Sequence, residues 1–393
     1  MKREEKPTVL IVHNYYQFPG GEDTVVENEK KNLEDNGHKV FLYTRSNSEL
    51  KTFKGWKKLL LPFNTIFSIK TYMQVSKIIK TKNIDIIHVH NTLNLISPSV
   101  YYAAFYHKIP VVQTIHNFRL LCPAATFYRS QRICEDCIDK GLGNAIKYKC
   151  YRNSRIQTLA CVINLYIHRM LGTYKKLNYI CLTDFNKSKL LKFSGINENR
   201  IFIKPNFVVE NHWQVVPYKS RKNQFVFAGR IDDIKGIKTL LVAWKKMGNL
   251  NSELIICGSG PQEKWCQNYI NENKMENVKM LGFVSNQEVK QIISNSKAVI
   301  FPTQWYEGFP MVIVEAYSVG TPVIGSDIGN VNSLIIDHLT GHKFKHNSPD
   351  ALVEAVEKIG DMVDSTKKNH EKNYTSEKNY NFLLKIYLDL LRQ

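Results

Sequence analysis

Residues 298–320 read AVIFPTQWYEGFPMVIVEAYSVG. Ala298 to Phe301 is apolar and β-prone, Gly308 permits a tight backbone, and Pro310 suits a first helical turn. The stretch therefore predicts strand, sharp turn and helix, the helix running from Met311 to Val319. Glu307 falls in the loop at the helix mouth, and Glu315 lies about a turn and a half into the helix. Carboxylates accept from vicinal hydroxyls, and unpaired helix-terminal amides bind anionic or hydroxyl oxygens, a combination that suits a sugar nucleotide. The same residues also fit an ordinary helix with an exposed glutamate, so the reading depends on what the rest of the chain asks for.

The strand–helix pattern repeats outward from this point. Phe225–Ala228, Glu253–Cys257, Val278–Leu281 and Pro322–Gly325 read as short apolar strands separated by helical spans. In the first half Val9–His13 is a strand, Gly20-Gly21 follows, and a helix runs from Glu22 to Asn36 before Gly37 stops it. His38–Thr44, Ile84–His90, Val111–Ile115, Tyr179–Thr183 and Ile201–Lys204 are further strands, and Val100–His107 fits a helix. Such alternation argues for parallel sheets covered on both faces, an α/β class with two doubly wound domains. Pro205, Pro217 and a polar run up to Lys222 break the pattern. The expected domains are therefore 1–205 and 206–375. A last amphipathic helix within 376–393 is expected to pack back on the first domain. In doubly wound sheets ligands bind beyond the carboxyl ends of the strands, so two such domains are expected to face each other across a cleft.

At 393 residues the chain is long enough for two cores, and 43% hydrophobic content is ordinary for a globular protein. Met1 to Pro7 is charged with no apolar stretch behind it, and no run reaches the length of a membrane span, so a cytoplasmic protein is expected. The charge is uneven. Residues 1–205 carry 32 Lys/Arg against 15 Asp/Glu, while residues 206–393 carry 22 against 20. A one-sided basic field implies an anionic partner. Between Lys51 and Lys70, Lys51, Lys54, Lys57 and Lys58 alternate with Phe53, Trp56, Leu59, Leu60, Leu61, Phe63 and Phe67. That mixture is what an interfacial segment uses at an anionic membrane, although a solvated surface helix carries the same residues. No nucleic-acid-binding motif is present, so nucleic acid is not an expected partner.

Four strand ends carry candidate chemistry. Gly20-Gly21 lets a backbone approach a phosphate, or is a plain turn. Gly229-Arg230 ends one strand and Lys235-Gly236 opens the next helix, placing two cations where they could clamp a diphosphate. Beside Asp232 and Asp233 they could equally be a surface pair. His116 follows a buried strand, and Asn206 follows Lys204-Pro205 at the domain junction. With Gly258-Ser259-Gly260-Pro261 and the Glu307-to-Glu315 segment, these residues span nearly the whole chain in an order that resembles the family 4 retaining glycosyltransferases of GT-B architecture.

The resemblance implies transfer from a nucleotide-sugar donor with retention at the anomeric carbon, through two Rossmann-like domains. Glu315 would bind the ribose hydroxyls, and Glu307 with the Phe309 amide would hold the donor sugar. Pro310 has no N–H to offer. Arg230 and Lys235 would stabilise the diphosphate, with Gly20, Gly21 and Gly229 allowing close backbone approach. His116 would contact the donor sugar and help order the acceptor. No metal is expected for catalysis, because the two cations take its role. Glu307 is the one candidate nucleophile and the resemblance assigns it to hydroxyl binding, so a front-face substitution is expected. The acceptor would be a glycan or a polyprenyl-linked glycan of a surface polysaccharide such as capsule or lipopolysaccharide, made by a peripheral protein on the inner face of the cell membrane. A nucleotide-sugar epimerase, or a non-catalytic basic ligand-binding protein, are the rival readings. Four of the eight cysteines cluster after His116. Cys134-x2-Cys137, flanked by Cys122 and Cys150, makes a structural zinc site possible, with reduced thiols on an acceptor loop as the alternative.

Overall fold

The computed structural model describes residues 6–17, 20–209, 214–248 and 251–392, with side chains throughout except at 56–59. The chain forms two compact units. The first comprises residues 1–126, 135–206 and 377–393, and the second 127–134 and 207–376.

In the first unit, β1 (Val9–Tyr15), β2 (Val40–Ser46), β3 (Ile86–Asn91) and β4 (Val111–Ile115) come from its first segment. A short antiparallel hairpin, β5 (Tyr128–Arg129) with β6 (Arg132–Ile133), belongs to the second unit, where the Phe127 ring meets that of Tyr306 at 6.2 Å. β7 (Asn178–Cys181) and β8 (Ile201–Ile203) complete the first sheet, in the order β2-β1-β3-β4-β7-β8, all parallel. The second sheet holds β9 (Gln224–Ala228), β10 (Glu253–Cys257), β11 (Val278–Gly282), β12 (Ala298–Phe301), β13 (Val323–Ser326) and β14 (Gly341–Phe344), in the order β11-β10-β9-β12-β13-β14. Both units are thus doubly wound α/β layers. The second sheet's order, counted along its own strands, is 3-2-1-4-5-6, the Rossmann arrangement, and the first sheet, 2-1-3-4-5-6, differs in having its third strand between the first and fourth instead of at the edge.

The central strands are rich in buried apolar residues because helices cover both faces of each sheet. Trp244, Leu240, Ile256 and Ile300 lie in one cluster of the second unit, and Val226, Val299, Ile313 and Tyr317 in another. In the first unit the last helix, Ser376–Leu391, lays Leu383, Ile386, Tyr387 and Leu390 against Val9, Ile11, Val26 and Leu33. Among the described residues no helix is long and apolar enough to cross a membrane.

Candidate active site

In the second unit the strand order reverses between β9 and β12, so the loops after these two strands diverge and leave a crevice at their carboxyl ends. Those loops carry Gly229, Arg230 and Lys235 on one side and Thr303, Trp305 and Glu307 on the other. Gly236 holds the first loop against the second. Its φ is +76°, and a Cβ there would come 1.7 Å from the Pro302 carbonyl oxygen, so only glycine fits. Gly258 plays the same part behind Gly229, whose carbonyl oxygen would lie 1.9 Å from an added Cβ.

Glu307 is buried, at 7% exposure, and its Oε1 accepts three hydrogen bonds. They come from Lys235 Nζ (2.7 Å), Thr303 Oγ1 (2.9 Å) and Trp305 Nε1 (2.6 Å). The Lys235 ammonium also lies over the Trp305 and Phe301 rings, 5.5 and 5.7 Å from their centroids. Asn330 Nδ2 donates to the carbonyls of Glu307 and Gly308, both at 2.6 Å, which fixes the turn. Glu315 sits on the helix Met311–Ser318, for which Pro310 is the N-cap rather than the first helical residue. Its carboxyl is half-buried, and this desolvation raises its pKa, while Lys290 pulls it down. Phe309 turns its ring into the apolar cluster, 6.4 Å from that of Tyr374, so only its backbone faces outward chemistry. Arg230 is largely exposed and pairs with Asp232, not with Lys235 or Glu307.

In the first unit the loop after β1 leads into the helix Gly21–Asp35. The Gly20 amide is already engaged by Asp23 Oδ2 at 3.0 Å, and Asp23 Oδ1 bonds His13 Nε2 at 2.7 Å. Beside them Glu22 Oε2 accepts from Tyr16 Oη (2.9 Å) and Asn117 Nδ2 (3.4 Å). Glu22 Oε1 is buried with no hydrogen-bond partner among the described residues. Burial pushes this carboxyl up to about 7, against the pull of His13, Tyr16 and Arg119.

His116, at the end of β4, is buried and stacks on His90, with 2.9 Å between His90 Nδ1 and His116 Nε2. Glu29 Oε2 lies 3.6 Å from His90 Nε2, beyond hydrogen-bond reach, so the bond between the two imidazoles can run in either direction. Burial holds both imidazoles well below their ordinary pKa, so both are neutral. A cavity of about 70 Å³ opens at His116, lined also by His90, Asn117 and, from the helix Arg155–Met170, Cys161, Asn164 and Leu165.

Two family models divide the chain between them. The one described as Glycosyltransferase Family 4 matches residues 19–211, and the one described as Glycosyl transferases group 1 matches residues 209–387. The chain belongs to glycosyltransferase family 4. The glycosyltransferase is 24% identical, over 406 residues, to an uncharacterized glycosyltransferase of Methanocaldococcus jannaschii, covering 97% of this chain and 98% of that one. The lipopolysaccharide outer core galactosyltransferase WaaB shares its fold with a TM-score of 0.69 at 18% identity, over 97% of this chain and 99% of that one. The Anabaena protein HepE, solved with UDP, does so with a TM-score of 0.66 at 16% identity, over 96% and 98%. The fold of the glycosyltransferase is GT-B.

Of the residues that the sequence singles out, the structure joins Lys235 to Glu307 and leaves Arg230 to Asp232. Lys204 of the Lys-Pro-Asn segment is wholly buried in an ion pair with Glu29, so it ties β8 to the first helix and presents no charge to a ligand. The zinc site that the cysteine spacing made possible finds no support in the structure. Among the described residues, the one group of three or more His, Cys, Asp or Glu side chains with ligand atoms within 4.8 Å of one another is Glu29, His88 and His90. Cys122, Cys134, Cys137 and Cys150 form no such set. Cys137 instead packs with Ala145 and Val162, with Cys150 against them, so this thiol serves an apolar cluster. The Glu29 group does not suit a metal either. The Lys204 ammonium neutralises Glu29, and both His88 nitrogens are occupied by Tyr387 Oη (2.8 Å) and Thr114 Oγ1 (2.7 Å). Trp305, Thr303, Asn330, Glu22 and His90 escaped the sequence reading. Trp305 carries a local signal, two residues before Glu307; the others are disclosed only by tertiary contact.

Proposed function

We propose that the glycosyltransferase moves a sugar, with retention, from a nucleotide diphosphate donor to a hydroxyl of a lipid-linked glycan in surface-polysaccharide synthesis. The observation that carries this reading is the Lys235–Glu307 pair at the switch point of the second sheet. A cation and a carboxylate are held there, partly dry, where a doubly wound sheet binds nucleotides. In this reading Lys235, with Arg230 released from Asp232, neutralises the leaving diphosphate without a metal. Glu307 keeps its free Oε2 for a sugar hydroxyl, and the Phe309 amide adds a donor. Glu315 takes the ribose hydroxyls, and Gly229 leaves room for the phosphates.

Three donors on Glu307 Oε1 lower its nucleophilicity, which supports front-face substitution over a covalent glycosyl-enzyme. The leaving diphosphate oxygen takes the acceptor proton as the new glycosidic bond forms on the face that the leaving group vacates. On the first unit, the His116 imidazole contacts a sugar hydroxyl, and Gly20 and Gly21 form the phosphate-side turn. Glu22, between Tyr16 and Asn117, is placed to accept from the incoming hydroxyl. WaaB is a lipopolysaccharide outer core galactosyltransferase and HepE was solved in complex with UDP, and both likenesses support this reading.

The test is a thermal-shift screen against UDP, GDP, ADP and their sugar forms. One nucleotide is expected to raise the melting temperature, since it binds only the folded state, and Glu315→Ala is expected to abolish the shift. No shift with any nucleotide removes the reading. Donor turnover without acceptor to an epimeric sugar would make the protein an epimerase instead.

A further inference from the structure

Between Glu49 and Asp85 the chain holds no acidic residue and eight lysines, and between Asp139 and Asp184 none and eight Lys or Arg. These two stretches account for sixteen of the chain's net nineteen positive charges. They meet in the first unit. Asn164 Nδ2 donates to the Thr65 carbonyl at 3.1 Å and His168 Nε2 to that of Ile66 at 2.9 Å, across 99 and 102 residues of sequence. The helices Trp56–Ile66 and Arg155–Met170 are thereby fixed side by side.

The surface that they share is apolar at its centre. Of 22 large hydrophobic residues exposed among the described residues, eleven lie in 60–73 and 156–171. On the 155–170 helix the inward positions Thr158, Cys161, Leu165 and His168 are buried, while Ile156, Leu159, Ile163, Tyr166 and Met170 point outward. Ile156 and Met170, at 76% and 68% exposure, mark the two ends of this stripe. No charged residue occurs from Ile156 to His168, so over four turns the outward face offers water nothing but Gln157 and Tyr166. Phe63, Ile69 and Met73 extend the apolar surface, at 68%, 67% and 64% exposure. Exposed Arg152 and Arg155 stand at one end of the helix and Lys175 and Lys176 at the other, with Lys70 and Lys77 beside Ile69 and Met73.

We infer that this face is a docking surface for an anionic lipid bilayer, with the 155–170 helix lying in the headgroup region. An apolar stripe bounded by cations is the pattern of an interfacial helix: the stripe enters the acyl boundary and the cations pair with lipid phosphates. At about 24 Å the helix is too short and too one-sided to span a bilayer, so it lies flat. The spacing of the stripe is also that of a helix–helix seam. A second copy of the chain would bring the same cations against themselves, however, and like charge disfavours that pairing. Nucleic acid takes wet, polar faces, not an uncharged stripe. The opposite side of the same helix lines the cavity at His116 with Cys161, Asn164 and Leu165. One helix therefore separates a candidate site residue from the lipid, which rests on the transfer reading above for its role but not for its binding.

The experiment uses the full chain and flotation with phosphatidylglycerol–phosphatidylcholine vesicles against phosphatidylcholine alone, with nucleotide thermal shift measured on the same samples. Binding is expected to the anionic vesicles only, weakening as salt rises. Met170→Asp and Ile156→Asp are expected to lower the bound fraction on the order of tenfold, because each drives a charge into the apolar layer. Both positions are exposed, so the melting temperature should hold, and Ile69→Asp is a second probe of the same face. Phe283→Asp, on an 84% exposed residue of the second unit, should bind as the unchanged chain does. The inference is overturned if the chain does not bind anionic vesicles at low salt, or if the helix variants bind unchanged. It is also overturned if the chain is a dimer that these variants convert to monomer. Vesicle binding without any nucleotide shift would sink the transfer reading and leave the docking face standing.

Discussion

Glu307 Oε1 accepts from three donors at once, and in the proposed mechanism a carboxylate so restrained acts by position, not by attack. The partner that a ligand must recruit is Lys235, whose ammonium is already within 2.7 Å of that oxygen and over two aromatic rings. Lys235→Ala and Arg230→Ala are each expected to lower kcat on the order of 10²-fold while weakening donor binding less, because the charge that they meet grows as the bond breaks. Steady-state kinetics beside nucleotide affinity checks this, and an unchanged kcat in both variants removes them from the diphosphate. Glu22 yields a pH prediction. Burial pushes its carboxyl up to about 7, and the ionised form holds the incoming hydroxyl by the stronger hydrogen bond, while the proton itself passes to the leaving diphosphate oxygen. Transfer is expected to rise with pH through about 7, and Glu22→Gln should flatten that limb. A limb that persists in the glutamine variant belongs to another group.

At the scale of elements, the buried Lys204–Glu29 pair joins β8 to the Gly21–Asp35 helix. The C-terminal helix closes over it, with Asn379 Oδ1 3.4 Å from the Lys204 ammonium and Asn379 Nδ2 donating to the Pro205 carbonyl at 2.8 Å. Removing one partner leaves an uncompensated buried charge. Lys204→Ala is therefore expected to cost about 3–5 kcal/mol of stability, with Lys204→Met costing less than the alanine variant once Glu29→Gln is added. Chemical denaturation of the three proteins measures it; a change below about 1 kcal/mol would mean that water reaches the pair. The sequence showed Lys204 only as a strand-end cation before a proline, which is how exposed basic residues also look. Strands were more legible. β12, and β9 and β10 after their first residues Gln224 and Glu253, are apolar runs because both faces of a parallel sheet are covered. β14 was missed, since Gly341-His342-Lys343-Phe344 has a single large apolar residue and pairs with β13 alone.

Across the whole molecule, four imidazoles are held neutral by burial: His88 and His370, both pushed down to about 4, and His90 and His116, well below their usual range. The unfolded chain binds protons at these positions below about pH 6.5 and the folded chain does not, so their stabilising effect is whole above that pH and lost as pH falls towards 4. Each contributes a slope of about 1.4 kcal/mol per pH unit within that window. Glu22 and Glu315, both raised by burial, act in the opposite sense, two carboxyls against these four imidazoles. The melting temperature is expected to fall steadily from about pH 7.5 to about pH 5, and a flat profile would mean that these histidines are hydrated in the fold. The sequence by itself determined the alternation of strands and helices, two parallel sheets, the glycines at strand ends and the family, because apolar period and turn chemistry are local properties of a chain. Tertiary structure decided which charges meet. Lys235 and Glu307 are 72 residues apart and become partners only because β9 and β12 are neighbours, an adjacency set by crossover connections and not by spacing. The same holds for the two acid-free stretches that form one basic, apolar-centred face, and for four cysteines with zinc-like spacing that the fold does not bring together as ligands.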